Sequence, residues 1–390
     1  MAPRAPFSPS EVLLLGPGPS PVPPPVAIAM AGPTLGHLDP EFIELMDRVQ
    51  ADLRSVFGTT NRFTLPISGT GSAGMEAAVV NLVAPGERVV VGVHGVFGTR
   101  LVELVERQGG IAVPVTAAFG EALDPEAMRA AIRGGDTAVV AFVHAETSTG
   151  VLQPSADLVA AAREAGALVL ADCVTSVGGM PLDIDSLGFD AVYAGTQKCL
   201  SVPPGLAPFS LSDRAVERAR SRRSSSWYFD VGLLSAYWDA GSSRVYHHTA
   251  PVQMVYGLAR GLDLVLDEGL AAVGERHAAA ARARYAGLDA LGLDCMVRDP
   301  RLRTPMLTSI RVPDGVDEGF VRRHLLLAHR IEIGGGLGPW KGQAWRVGLM
   351  GHGARLGAVR ALIAGLGDAL ARAGRRVDLS AALTAIGSPD

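Results

Sequence analysis

The stretch YAGTQKCLSVPPG, residues 193 to 205, contains Lys198, one of two lysines in a chain whose other 33 cationic side chains are arginine. Arginine stays protonated, whereas a lysine in a desolvated site can lose its proton and condense with a carbonyl to form an imine. A position with that task cannot drift to arginine, even in a chain whose Ala, Arg and Gly content reflects codon bias. Lys198 stands among small residues, and VPPG turns the chain directly after it. The other lysine, Lys341, lies in LGPWKGQ, a Gly-rich stretch with the look of an exposed tip. A purely structural lysine at 198 is the alternative.

Two further features give the amine a context. Asp172 ends the apolar run ALVLAD, where an unpartnered carboxylate would be costly to bury. It serves either as a local backbone cap or as a carboxylate held against a cationic ring nitrogen; Cys173, Ser176 and Gly178 supply no convincing metal set. GTGSAG, residues 69 to 74, matches the G-x-G-x-x-G of dinucleotide sites. The match is weak, because LPIS before it makes a poor strand and the next acid, Glu87, precedes the strand RVVVGV. What survives is a phosphate cradle at a helix N-terminus, with hydroxyls from Thr70 and Ser72. An imine-forming lysine, a strand-end aspartate and a phosphate cradle are what pyridoxal 5'-phosphate requires: an amine for its aldehyde, a carboxylate for its ring nitrogen and donors for its phosphate.

Several elements must position these residues. The chain has 390 residues, 48% apolar and 19% charged, which fits one large domain and a smaller one. Apolar runs at 138–144, 167–172 and 190–195, with the helix-like SADLVAAAREAG between the first and second, indicate an α/β fold with a parallel sheet covered on both faces. Ser155 is placed to cap that helix and Gly166 to end it. Helical spacing also runs from about Asp39 to Phe57. The carboxyl ends of the strands would gather His144, Glu146, Asp172 and the GTQK segment at one rim. The expected division is an extended Pro-rich segment over 1–25, a large domain over 26–255, a small C-terminal α/β domain over 256–375 and a tail over 376–390. A net charge of −4 with no basic block argues against nucleic acid. No run reaches membrane-spanning length, no signal segment is evident, and three cysteines form no metal spacing or even-numbered disulfide set. A reduced cytoplasmic protein is expected.

LLLGPGPS, ISGTGSAGMEAA, HAETSTGVLQP, ADCVTSVGGMPLDID, GTQKCLSVPPG, YHHTAPV and WRVGLMG follow one another in this order. Together they resemble the alanine–glyoxylate/serine–pyruvate aminotransferase branch of the class V aminotransferases, from about residue 12 to about 373. The resemblance implies a fold-type I enzyme with a seven-stranded large domain, and a homodimer with shared active sites whose N-terminal segment crosses to the partner. It makes Lys198 the Schiff-base residue and Asp172 the partner of the pyridine nitrogen. It assigns Ser148 to the cofactor 3-oxygen, and Val174 and Phe97 (a tryptophan in many members) to the ring faces. Thr70, Gly71, Ser72 and Gln197 fall at phosphate-binding positions, Ser72 replacing a histidine. Tyr246 and Thr249 correspond to residues that reach the phosphate from the neighbouring subunit, and Arg346 to the arginine that takes the substrate carboxylate.

The implied reaction is transamination between a small amino acid, alanine or serine, and a 2-oxo acid, glyoxylate or pyruvate. Other donors on the same scaffold are ureidoglycine, 2-aminoethylphosphonate and pyridoxamine. A desulfurase-like lyase would need a mobile cysteine, and Cys173, Cys199 and Cys295 all sit in structured runs. A cofactor-binding sensor without catalysis is the reading outside enzymes. His247 and His248 are expected to be structural, their side chains pointing oppositely on an extended segment, and Cys199 to be a small buried filler.

Overall fold

The computed structural model describes residues 7–238 and 244–387, so residues 1–6 and 388–390 of the terminal segments lie outside it. Helix Pro40–Phe57 shows local signals acting where they stand. The Asp39 carboxylate accepts the Glu41 N–H at 2.9 Å, and Gly58 ends the helix in the left-handed region at φ 61°. Ser155 behaves otherwise: it precedes helix Ala156–Glu164 but makes no side-chain capping bond, while Gly166, at φ 71°, does follow the helix end.

Seven strands form the main sheet, in the order Phe63–Ser68, Leu206–Leu211, Ala191–Tyr193, Leu168–Asp172, Thr137–Val143, Arg88–Val93 and Ile111–Thr116. The last five run parallel, and Leu206–Leu211 is antiparallel to both neighbours. Val139, Val140, Val169 and Val192 in the middle strands are fully buried, as expected for a sheet with helices on both faces. The expectation that LPIS makes a poor strand is corrected, since Phe63–Ser68 is a six-residue strand. It lies at the sheet edge, where a proline is tolerated, and Pro66 stands opposite Pro208, whose carbonyl turns the other way to accept the Ala194 N–H at 2.8 Å.

The terminal segments are more ordered than their composition indicates. Leu13–Leu14 pairs in parallel with Ile331–Glu332 of the same chain, Pro24–Met30 is a helix, and Leu379–Ala385 is a helix with Ala382 fully buried. Two hydrophobic cores divide within helix Leu270–Ala290: Val273 belongs to the first, and Ala280 opens the chain's return through the second. Leu15 also packs in that second core, far from its sequence neighbours.

Four imidazoles are kept neutral in the folded chain. Burial pushes His94, His144, His248 and His277 each down to about 4, from an ordinary value of 6.5. A depressed folded-state value gives stability that is present above the unfolded value and lost as pH falls through the folded one. Asp172, Glu146 and Asp52, which burial raises, act with the opposite sign in that window, while His352, which burial lowers, acts with the four. Denaturation midpoints measured from neutral pH down towards the folded histidine value should therefore fall; a level profile would contradict this reading.

Candidate active site

Asp172 closes strand Leu168–Asp172 between Val143 and Tyr193 of the flanking strands. The Tyr193 hydroxyl donates to its Oδ2 at 2.9 Å, and the Val174 N–H donates to Oδ1 at 2.9 Å. Burial nonetheless pushes this carboxyl up to about 7, with the Glu146 charge adding to the rise and the Lys198 charge opposing it. A cation placed against it would draw it into the ionised form.

Lys198 sits on the loop joining Ala191–Tyr193 to Leu206–Leu211, clipped by the Thr196 hydroxyl, which donates to Pro203 O at 2.9 Å and Leu206 O at 3.1 Å. The side chain is 9% exposed, and burial lowers its amine to about 8. A strap from the N-terminal segment lies across it. Nζ donates to Pro17 O, the Ser20 hydroxyl donates to Lys198 O at 2.6 Å, and the Ser20 N–H donates to Gln197 O at 2.8 Å. Gly18 has φ 109°, a conformation that favours glycine, and a Cβ there would stand 2.6 Å from Nζ, the movable tip of the lysine.

Opposite lies the N-terminus of helix Gly71–Leu82, with Thr70 at the N-cap making no side-chain bond of its own. The first N–H groups of a helix have no intrahelical acceptor and favour an anion. Gly71 lets this end approach closely, since a Cβ on it would lie 2.9 Å from Val174 Cγ2. Arg100 donates to the exposed Ser72 hydroxyl at 3.2 Å and stacks over the Phe97 ring at 4.9 Å. The sequence reading missed Arg100; its place one turn along helix Val96–Arg107 from Phe97 was the available signal.

These groups surround a cleft of about 110 Å³. Lys198, Asp172, Val174 and Gln197 line one part of it, and Gly71, Ser72 and Phe97 another. Thr70 stands exposed at its edge, beside Gly71. The residues fit pyridoxal phosphate: an amine, a carboxylate with raised affinity for its proton, a ring-stacking aromatic and a helix N-terminus share one cleft. The buried Gln197 Oε1 has no hydrogen-bond partner among the described residues, an unmet polar atom on the wall.

Ser148 is a correction. Its hydroxyl donates to Glu146 Oε1 at 2.7 Å and accepts the Val96 N–H at 2.9 Å, so it is consumed beneath the site, while Thr147 stands on the cleft lining. Both belong to the turn between Ala145–Glu146 and Val151–Leu152, where consecutive side chains diverge. Arg346, on strand Ala344–Gly348, lies beside Thr147 and is 8% exposed. Its Nη1 donates to Thr147 O at 3.1 Å and its Nε to Gly335 O at 2.7 Å, which leaves three of its five N–H donors for a ligand. Burial lowers it to about 10, still protonated at neutral pH.

Tyr246 and Thr249 are not brought into this cleft; both are exposed, Tyr246 at 55%, with their hydroxyls 3.4 Å apart. His247 and His248 do not point oppositely, because their segment is not a strand: the two Nδ1 atoms lie 2.7 Å apart. His248 Nε2 meets the Ser68 hydroxyl at 2.8 Å and His247 stacks on Trp227, which is a structural arrangement. Cys173 and Cys199 are buried, and burial pushes the Cys199 thiol up to about 12, so neither is a nucleophile in waiting.

A mainly parallel seven-stranded sheet, a buried lysine beyond it and a strand-end aspartate facing a helix N-terminus define a fold-type I transferase. The family model for class V aminotransferases matches residues 16–337, and the chain belongs to that family. It is therefore an aminotransferase that uses pyridoxal phosphate. The chain is similar to a crystal structure of alanine–glyoxylate aminotransferase from Nostoc sp., with 44% identity, a TM-score of 0.92 and coverage of 94% of this chain and 97% of that one. It is 38% identical to the alanine–glyoxylate aminotransferase of Callithrix jacchus over 90% of this chain and 86% of that protein. It is 35% identical to the (S)-ureidoglycine–glyoxylate transaminase of Bacillus subtilis over 95% and 94%.

Proposed function

We propose that this enzyme transfers the amino group of alanine or serine to glyoxylate or pyruvate, with Lys198 as the Schiff-base residue. The observation that carries the reading is the pairing of buried Lys198 with Arg346, which lies beside the cleft-lining Thr147 and keeps three N–H donors for a substrate carboxylate. The relatives named for alanine and glyoxylate support it.

Pyridoxal phosphate, when bound, offers an aldehyde to the substrate amine and an electron-withdrawing ring that acidifies the α-proton. Thr70, Gly71, Ser72 and Gln197 would hold its phosphate, Asp172 its ring nitrogen, and Phe97 and Val174 its two faces. Thr147 takes the place first assigned to Ser148. Lys198, with its amine lowered to about 8, is unprotonated in part of the population near neutral pH and takes the α-proton through Nζ before returning it. Arg346 fixes the substrate carboxylate, so that the Cα–H bond is presented in one orientation.

The dimer belongs to the same proposal. Tyr246 (55% exposed), Val245 (59%) and Trp227 (62%) form an exposed apolar face around Thr249, suited to reaching the site of a second copy. The free cysteines fit a reducing cytoplasm, and no helix among the described residues is long and apolar enough to cross a membrane.

The test is the visible absorption of the purified holoenzyme. L-Alanine should convert its band to the shorter-wavelength amine form, and glyoxylate should restore it. A band indifferent to alanine and serine but converted by (S)-ureidoglycine would move the donor to that of the Bacillus relative. Arg346→Gln should lower kcat/KM by about 10- to 100-fold, chiefly through KM, as expected for a charge-assisted bond to a substrate. An unchanged KM would remove Arg346 from the substrate site.

A further inference from the structure

On the second core, away from the cleft, helix Glu318–His329 packs beside helix Leu356–Arg372. His324 Nε2 lies 2.6 Å from Asp368 Oδ2, and His329 Nε2 lies 2.9 Å from the same oxygen. All three ligand atoms lie within 4.8 Å of one another, and theirs is the one such cluster of metal-ligating side chains found among the described residues. We propose that His324, His329 and Asp368 form a binding site for a divalent first-row transition ion, with two imidazoles and one carboxylate on one face and water on the other.

The geometry supports this in four ways. Ligands at about 2.1 Å and right angles to one another are separated by about 3 Å, close to the 2.9 Å seen and slightly longer than the 2.6 Å. Both histidines present Nε2, from different turns of one helix, to a single oxygen of the other helix. The His324 ring is held by Phe320, stacked at 5.8 Å and 19°. Gly365, one turn before Asp368, lets the helices close: a Cβ there would lie 2.7 Å from Leu325 Cδ2 and 3.5 Å from His329 Cγ.

The histidine side chains are 14% and 30% exposed, so water and ions reach them. The competitor is Arg372, whose Nε lies 3.2 Å from Asp368 Oδ1 and 3.3 Å from Oδ2. That is an i,i+4 pair with the arginine 62% exposed, and such pairs hold weakly. The ion would take the place of the imidazole–carboxylate contacts and would staple the two helices together.

The experiment uses untagged holoenzyme, stripped with a chelator, equilibrated with zinc, desalted and assayed for metal and protein. Close to one equivalent of zinc per chain should remain, and the apparent Tm should rise with zinc. His324→Ala, His329→Ala and Asp368→Asn should each weaken retention by roughly tenfold or more and abolish the Tm shift, with transamination unaltered in the absence of metal. Wild-type protein that keeps no zinc overturns the proposal without any variant. Retention equal in wild type and Asp368→Asn overturns it as well, by locating the metal elsewhere.

Discussion

Lys198→Ala should abolish transamination while the protein still folds and takes up cofactor noncovalently. The side chain is buried but is not part of either hydrophobic core, and its removal empties space next to Pro17 rather than among packed strands. Turnover should fall by roughly four orders of magnitude, the upper end for a group that moves a proton, because the same Nζ also supplies the covalent anchor. Lys198→Arg separates the roles. It keeps a cation beside Asp172 but removes an amine whose ordinary affinity for protons burial has weakened to about 8. Steady-state rates and the absorption band should be lost together in both variants. Wild-type-like turnover in either would dismiss Lys198 as the reacting amine.

The second large effect is expected at Asp172. Asparagine keeps the shape, can accept the Val174 N–H and can donate its amide to the Tyr193 oxygen, so the local frame of two 2.9 Å bonds survives. What goes is the charge. With no anion to hold a protonated ring nitrogen, kcat should drop by about 10²–10³-fold, the scale seen when one electrostatic contact to a developing charge is removed. Cofactor affinity, followed by fluorescence, should fall in parallel. The sign of one further readout separates this from a packing defect. Burial has pushed the Asp172 carboxyl up to about 7, so the cofactor-free wild type bears a destabilising ionisation near neutral pH that the asparagine variant lacks. Cofactor-free Asp172→Asn should thus be no less stable than wild type at neutral pH; a severe loss would point to structure instead of charge.

Where sequence and structure part, proline explains much of it. The strands Arg88–Val93, Thr137–Val143, Leu168–Asp172 and Ala191–Tyr193 were legible as apolar runs because both their faces are covered. The other three strands of the sheet each contain a proline (Pro66, Pro114 and Pro208); their strand character comes from register and, for Phe63–Ser68 and Ile111–Thr116, from edge position, which no local window holds. At the site, Lys198, Asp172 and the Gly71 helix end could be read from residue type and strand-end position. Thr147 against Ser148 could not: the difference is the direction of two adjacent side chains in a turn, settled by a buried Glu146 that accepts from Ser148 and from the Phe97 N–H at 3.1 Å. The cluster of His324, His329 and Asp368 was equally invisible, because it forms only when two helices pack.

The strap over Lys198 also says something about the order of events during synthesis. Leu13–Leu14 is synthesised long before its strand partner, Ile331–Glu332, and before Gly348, whose N–H donates to Leu15 O at 2.9 Å. The large sheet can form while translation continues, with Lys198 in its loop but Pro17 not yet docked above it. The strap can therefore dock over Lys198 only after residues 331–348 have been made; until then a nascent chain leaves this amine uncovered.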